Sequence, residues 1–132
     1  MMSESNSIEQ IVADNAPQAL GAYSQAVKAN GFVFVSGQLG IDPQTGKLAG
    51  DTAEEQARQA LKNVSNILQA AGSSVEKVVK ATIYLHDVED FTKIDAEYAA
   101  VFKTSPQPAR AAFGGNNLPK GALVEIEAIA VQ

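Results

Sequence analysis

Apolar positions along this chain alternate in some stretches and recur every three or four residues in others, and the changes of period divide it into elements. Residues 1–7 are polar and follow neither period, which predicts a tail, with a single domain over 8–132. A short strand is expected from Ile8 to Ala13. The segment DNAPQALGAYSQ that follows carries Pro17 and Gly21 and reads as a loop that places Tyr23 at the mouth of the next strand. Strands over Ser24 to Ala29 and Phe32 to Gln38 flank Asn30-Gly31, the dipeptide best suited to the two positive φ angles of a type I′ hairpin turn. The second of these strands begins FVFV, apolar on both sides, so both of its faces need cover. Ser36-Gly37 ends that run, and LGIDPQTGKLAG is a loop.

Helical spacing takes over at Thr52. Thr52 and Glu55 form a T-x-x-E capping box, and Ala57, Ala60, Leu61, Val64, Ile67, Leu68 and Ala71 recur on one face until Gly72. Val78 to His86 alternates again, with Val79, Ala81, Ile83 and Leu85 on one side. A second helix is expected from about Glu89 to Lys103, its apolar stripe made by Phe91, Ile94, Tyr98, Val101 and Phe102, with Asp95 projecting inside that stripe. A carboxylate there needs a donor or the mouth of a cleft. Pro106 and Pro108 end the helix, and a strand runs from PAR through Phe113 until Gly114-Gly115-Asn116-Asn117, which favours a bulge or a close backbone approach. The last strand, Ala122 to Val131, sets Val124, Ile126, Ala128 and Ala130 on one face and Leu123, Glu125, Glu127, Ile129 and Val131 on the other.

The expected architecture is α+β: one mixed sheet of five or six strands with two helices on one face. Two helices leave the other face, with Ile129, Val131 and one side of FVFV, as an apolar patch too large for a monomer. The pattern therefore predicts a homo-oligomer packed sheet to sheet.

Composition narrows the chemistry. The 132 residues include no cysteine and a single histidine, His86, which excludes a thiolate nucleophile and a multi-histidine metal site. Ten basic against fifteen acidic residues give a net charge of −5, without the basic face that counterion-driven nucleic-acid binding requires. The polar, acidic start and the lack of a long apolar run lead to the expectation of a cytoplasmic, metal-free protein. Arg110 is one of two arginines. It is either a solvated surface residue or, at an oligomer face, an anchor for a small carboxylate, since its planar fork binds one through two parallel hydrogen bonds. Glu125 and Glu127 share a face; each is either paired with a base or, for Glu125 above all, placed to hold a water and take its proton. Tyr23 is core packing or a hydrogen-bond donor at a cleft. These residues alone leave the reaction open.

The segments NAPQALGAYSQA, FVFVSGQLGIDPQTGKL, QARQALKNVSNILQAAG, DFTKIDAEYAAVF, PAR and LPKGALVEIEAIAV together resemble the Rid family, the RidA/YjgF reactive intermediate deaminases once described as endoribonuclease L-PSP. The resemblance implies a chorismate-mutase-like α+β fold, a homotrimer with sites in the clefts between subunits, and cofactor-free hydrolysis of 2-imino or enamine acids such as 2-aminoacrylate to 2-keto acids and ammonia. By the same resemblance Arg110 clamps the substrate carboxylate, Glu125 positions the attacking water, and Tyr23 stands at the cleft. The Ser36-Gly37 pair lines it, and Ala112 occupies a position that is cysteine in some members. Asp95 stands at the cleft where many members have asparagine, so a second carboxylate would face an anionic substrate. Two other functions compete with the deaminase: a regulatory protein that binds keto acids without turnover, and an endoribonuclease, against which the acidic charge argues.

Overall fold

The computed structural model describes residues 7–132. Residues 1–6 of the expected tail lie outside that range. Eight elements follow in order: β1 (Glu9–Ile11), β2 (Ala26–Ala29), β3 (Phe32–Leu39), α1 (Ala53–Ala70), β4 (Val78–Leu85), α2 (Phe91–Val101), β5 (Ala109–Phe113) and β6 (Val124–Val131), with 3-10 turns at Val75–Lys77, Val88–Asp90 and Pro119–Gly121. The strands form one six-stranded sheet in the order β1-β2-β3-β6-β4-β5. Only β4 and β5 run parallel, because α2 carries the chain back between them. This is the α+β arrangement that the resemblance implies. Among the described residues no helix is long and apolar enough to cross a membrane.

Local chemistry accounts for the elements. Asn30 (φ 52°) and Gly31 (φ 83°) both take the left-handed conformation that a type I′ turn demands, and so join β2 to β3. Helix α1 starts on the expected capping box: the Glu55 amide donates to the Thr52 hydroxyl at 3.2 Å, and the Thr52 amide donates to Glu55 Oε1 at 3.2 Å. It ends at Gly72, φ 79°. Its buried face, including Ala57, Ala60, Leu61, Val64, Ile67 and Leu68, packs on β3 and β6, whose inward residues Val33, Val35, Val124, Ile126 and Ala130 are equally closed to solvent. Buried polar side chains in this layer are paired, as desolvation requires. Asn63 donates to the carbonyls of Leu39 and Ile41, and Gln56 accepts from the Leu123 amide and donates to the Gly50 carbonyl.

The differences from the sequence reading have local causes. In β4 the register slips between Val78 and Lys80, so Val78 opposite Ala130 enters the core while Val79 is thrown out to solvent; the strict alternation had placed Val79 inside. The expected strand at Ser24 starts only at Ala26, because β3 bulges between Val35 and Gln38 and there exchanges its bonds with Ser24 and Gln25 outside the regular ladder. The second helix opens with the Val88–Asp90 3-10 turn, capped by Asp87, before α2 proper. The last strand begins at Val124, after the Pro119–Gly121 turn, two residues later than its alternation suggests. The Gly114–Asn117 run closes the end of β4: the amides of Gly115 and Asn116 donate to the carbonyls of His86 and Leu85, and the Asn116 side chain donates to Leu85 and Phe113. Gly114 meets Val88 so closely that a Cβ would sit 2.6 Å from the valine Cβ.

Among the described residues no helix covers the sheet face opposite α1 and α2, which is left bare. Phe32 opposes Val131 and Phe34 opposes Ile129 across β3 and β6, and Tyr84 stacks with Phe113 at 6.3 Å toward the far edge. Phe32, Phe34, Phe113 and Val131 are exposed.

Candidate functional site

One cavity of about 830 Å³ opens between the loop before β2, the bulged middle of β3 and the start of β6. Tyr23, Ser36, Gly37 and Glu125, expected together, all line it, with Glu127, Lys120 and apolar walls from Pro17, Leu20, Leu39 and Ile41.

The loop that carries Tyr23 is tied down by a side chain the sequence reading passed over. Buried Gln25 accepts from the Ala13 amide at 2.7 Å and donates to the carbonyls of Ala13 and Pro17 at 3.1 and 2.7 Å. The Ser36 hydroxyl donates to the Ser24 carbonyl at 2.6 Å, so Ser36 pins the residue next to Tyr23. Across the bulge, Val35 pairs with Ala128 and Gln38 with Ile126, which leaves one extra residue on β3. Gly37 lies in this interruption with the Glu125 carboxylate against its Cα; a Cβ at Gly37 would overlap Oε2 and stand 2.9 Å from Cδ.

Glu125 is half-buried, and its carboxyl is held above the usual carboxylate range, first by burial and then by the neighbouring charge of Glu127. Glu127, which shares the face of Glu125, lines the same cavity and accepts from the Tyr84 hydroxyl at 3.3 Å. A carboxylate raised in this way is a stronger base once ionised, a suitable property for taking a proton from water. Lys120 adds a cation to the rim; it holds a left-handed backbone (φ 60°) at the Pro119–Gly121 turn, a signal that the LPKG segment carries without revealing.

Arg110, Ala112 and Asp95 are elsewhere. Arg110 pairs in register with Ala81 and Ala112 with Ile83, both closed core positions, so these two β5 side chains belong to the helix-covered face. Glu125 is opposite Tyr84 on the bare face. Within one chain the arginine and the glutamate therefore stand on opposite sides of the sheet. The carboxylate partner of Arg110 is Asp95: Nη1 donates to Oδ1 at 2.6 Å, and the guanidinium lies over the rings of Phe91 and Tyr98, 5.1 and 4.8 Å from their centroids. His86 is exposed, with Nδ1 3.2 Å from the Asn116 carbonyl. Arg58 makes a bidentate pair with Glu97 that joins the two helices.

Comparison with known proteins sets this geometry in a family. The family model described as endoribonuclease L-PSP matches residues 13–132. The chain belongs to the L-PSP, or Rid, family. It is 50% identical over 117 residues to the 2-iminobutanoate/2-iminopropanoate deaminase of Bos taurus, an alignment that covers 89% of this chain and 85% of the bovine one. It is 48% identical over 122 residues to a RutC family protein of Pyrococcus horikoshii, covering 92% and 96% of the two chains. Among solved structures, that of the Rid family protein YyfA from Yersinia pestis superposes with a TM-score of 0.92 at 43% identity, over 96% of this chain and all of the other. Of this Rid-family chain's seven candidate site residues, four share the cavity and three lie behind the sheet at its β5 edge.

Proposed function

We propose that this protein hydrolyses 2-imino acids and their enamine tautomers to 2-keto acids and ammonia, at sites completed between the subunits of a homotrimer. The observation that carries the reading is the Glu125 carboxylate set against Gly37 in an open cavity, with its pKa raised. The deaminase activity in the names of mammalian relatives supports it. A shared site is favoured because the carboxylate anchor, Arg110, lies on the other side of the sheet from Glu125. A neighbouring chain packed on the bare apolar face can supply its own Arg110 edge to the cavity, and burying Phe32, Phe34 and Ile129 would drive that packing.

In the proposed reaction the substrate carboxylate docks on Arg110, and its protonated imine carbon lies beside the water held by Glu125. Water oxygen bonds to carbon as Glu125 takes a water proton, and the C=N electron pair moves to nitrogen. The proton on Glu125 then passes to the amine of the carbinolamine, the C–N bond breaks, and the remaining hydroxyl loses its proton as the carbonyl forms. The balance is iminium carboxylate plus water giving keto acid plus ammonium. Because a protonated imine is already electrophilic, position and proton transfer carry the catalysis.

The test is ammonia release from imines generated in situ from a panel of amino acids, compared with the Glu125→Gln variant. Loss of about 10²-fold or more in the variant is expected for a positioned base. Equal rates for the two proteins refute the assignment, and keto-acid binding by a parent that releases no ammonia favours the regulatory reading.

A further inference from the structure

By the resemblance Asp95 stands at the cleft, where its carboxylate would face an anionic substrate. The structure gives it different surroundings. Phe91, Asp95 and Tyr98 follow one another at helical spacings of four and three residues, so they form one stripe on α2. Arg110 reaches across from β5 onto that stripe, where its guanidinium meets both rings and donates from Nη1 to Asp95. The side chains of the pair keep 28% (arginine) and 44% (aspartate) of their exposure, so the contact lies at the surface, where a charged pair alone contributes little. The two rings pack against the guanidinium, 5.1 and 4.8 Å from its Cζ, and the hydrogen bond to Asp95 fixes the direction of Nη1. Nη1 is engaged, which leaves the Nε–Nη2 edge as the pair of parallel donors that a carboxylate can take side-on.

We propose that Asp95 is a positioning residue: through its hydrogen bond to Nη1 it holds the Arg110 guanidinium against Phe91 and Tyr98 with the Nε–Nη2 edge presented to the substrate carboxylate. The role is that of a hydrogen-bond acceptor, so an amide oxygen at this position serves as well as a carboxylate. This inference rests on the assignment of Arg110 as the anchor. Its immediate claim, that Asp95 immobilises Arg110, stands apart from any turnover.

Two measurements on the full chain test it. The chain has only two arginines, so an Arg58→Lys variant identifies the guanidinium signals of Arg110, its Nη1 protons among them. Exchange of the Arg110 Nη1 protons with solvent is expected to accelerate about tenfold in Asp95→Ala, as the loss of one charge-assisted hydrogen bond at a surface site implies, and to stay within about twofold of the parent in Asp95→Asn. Titration with pyruvate is expected to show about tenfold weaker binding in Asp95→Ala and near-parental binding in Asp95→Asn. Tighter pyruvate binding in both variants overturns the proposal, because Asp95 would then act as a repelling charge; so does unchanged Nη1 proton exchange in Asp95→Ala. A parent that binds no pyruvate refutes the anchor assignment, and the exchange rates still decide whether Asp95 immobilises Arg110.

Discussion

Replacing Gly37 with alanine separates the fold from the chemistry more cleanly than any change to a charged residue. Gly37 is outside the left-handed region, so alanine can adopt its backbone without strain. The added methyl overlaps Glu125 Oε2 and stands 2.9 Å from Cδ and 3.1 Å from Cγ, and all three atoms belong to one flexible side chain. The glutamate must therefore turn away by an ångström or more. The cost to the fold is that of one off-rotamer side chain, about 0.5–1.5 kcal/mol, which for a domain of this size lowers Tm by roughly 2–6 °C. The cost to the reaction is larger, since a base displaced by about 1 Å loses on the order of 100-fold in rate. Gly37→Ala is thus expected to melt within a few degrees of the parent while kcat for ammonia release falls about 100-fold. Calorimetry and a steady-state imine assay on the same preparation read the two effects. A variant that keeps kcat within threefold of the parent would refute the claim that Glu125 works from the position Gly37 leaves open.

Two other predictions rest on separate observations. Glu127 is the second cause, after burial, of the raised Glu125 pKa, and the acid limb of the rate profile marks protonation of the base. Glu127→Gln removes one negative neighbour, so Glu125 ionises more readily and the acid limb should move to lower pH; a limb that stays in place or moves up contradicts the assignment. Thr52→Ala removes the capping box of α1, outside the cavity lining, and should cost about 1 kcal/mol of stability with kcat unchanged; a loss of activity without a loss of Tm would show that the helix start does more than hold the fold.

Much of the fold was legible because single residues report directly on geometry. Asn30-Gly31 can serve few turns other than the one found, and Thr52 with Glu55 marks the start of α1 to the residue. Alternation in β6 assigns its two faces correctly, with Val124, Ile126, Ala128 and Ala130 closed. What alternation could not show is a slip in register: the irregularity at Val78–Lys80 exchanges Val78 for Val79, and the one after Val35 creates the recess at Gly37. Neither leaves a mark on a one-dimensional pattern, because a bulge depends on the partner strand as much as on its own residues. The site was half legible for the same reason. Tyr23, Ser36, Gly37 and Glu125 meet in one cavity, but the pairing of Arg110 with Asp95 depends on which face of β5 turns toward α2, and the parallel register with β4 sets that. Gln25, whose side-chain bonds hold the Tyr23 loop, looks in sequence like any polar residue at a strand start.

The central claim is that one chain supplies Glu125 and its neighbour supplies Arg110. Subunit complementation tests it directly: Arg110→Ala and Glu125→Gln chains, each inactive alone, are co-expressed and purified as mixed oligomers. In a randomly mixed ring with head-to-tail sites, about one site in four combines an intact Glu125 with an intact Arg110 from the next subunit, so about a quarter of the parental ammonia release should return. Mixed oligomers that remain as inactive as either parent variant would place both residues of each site in the same chain and contradict the account.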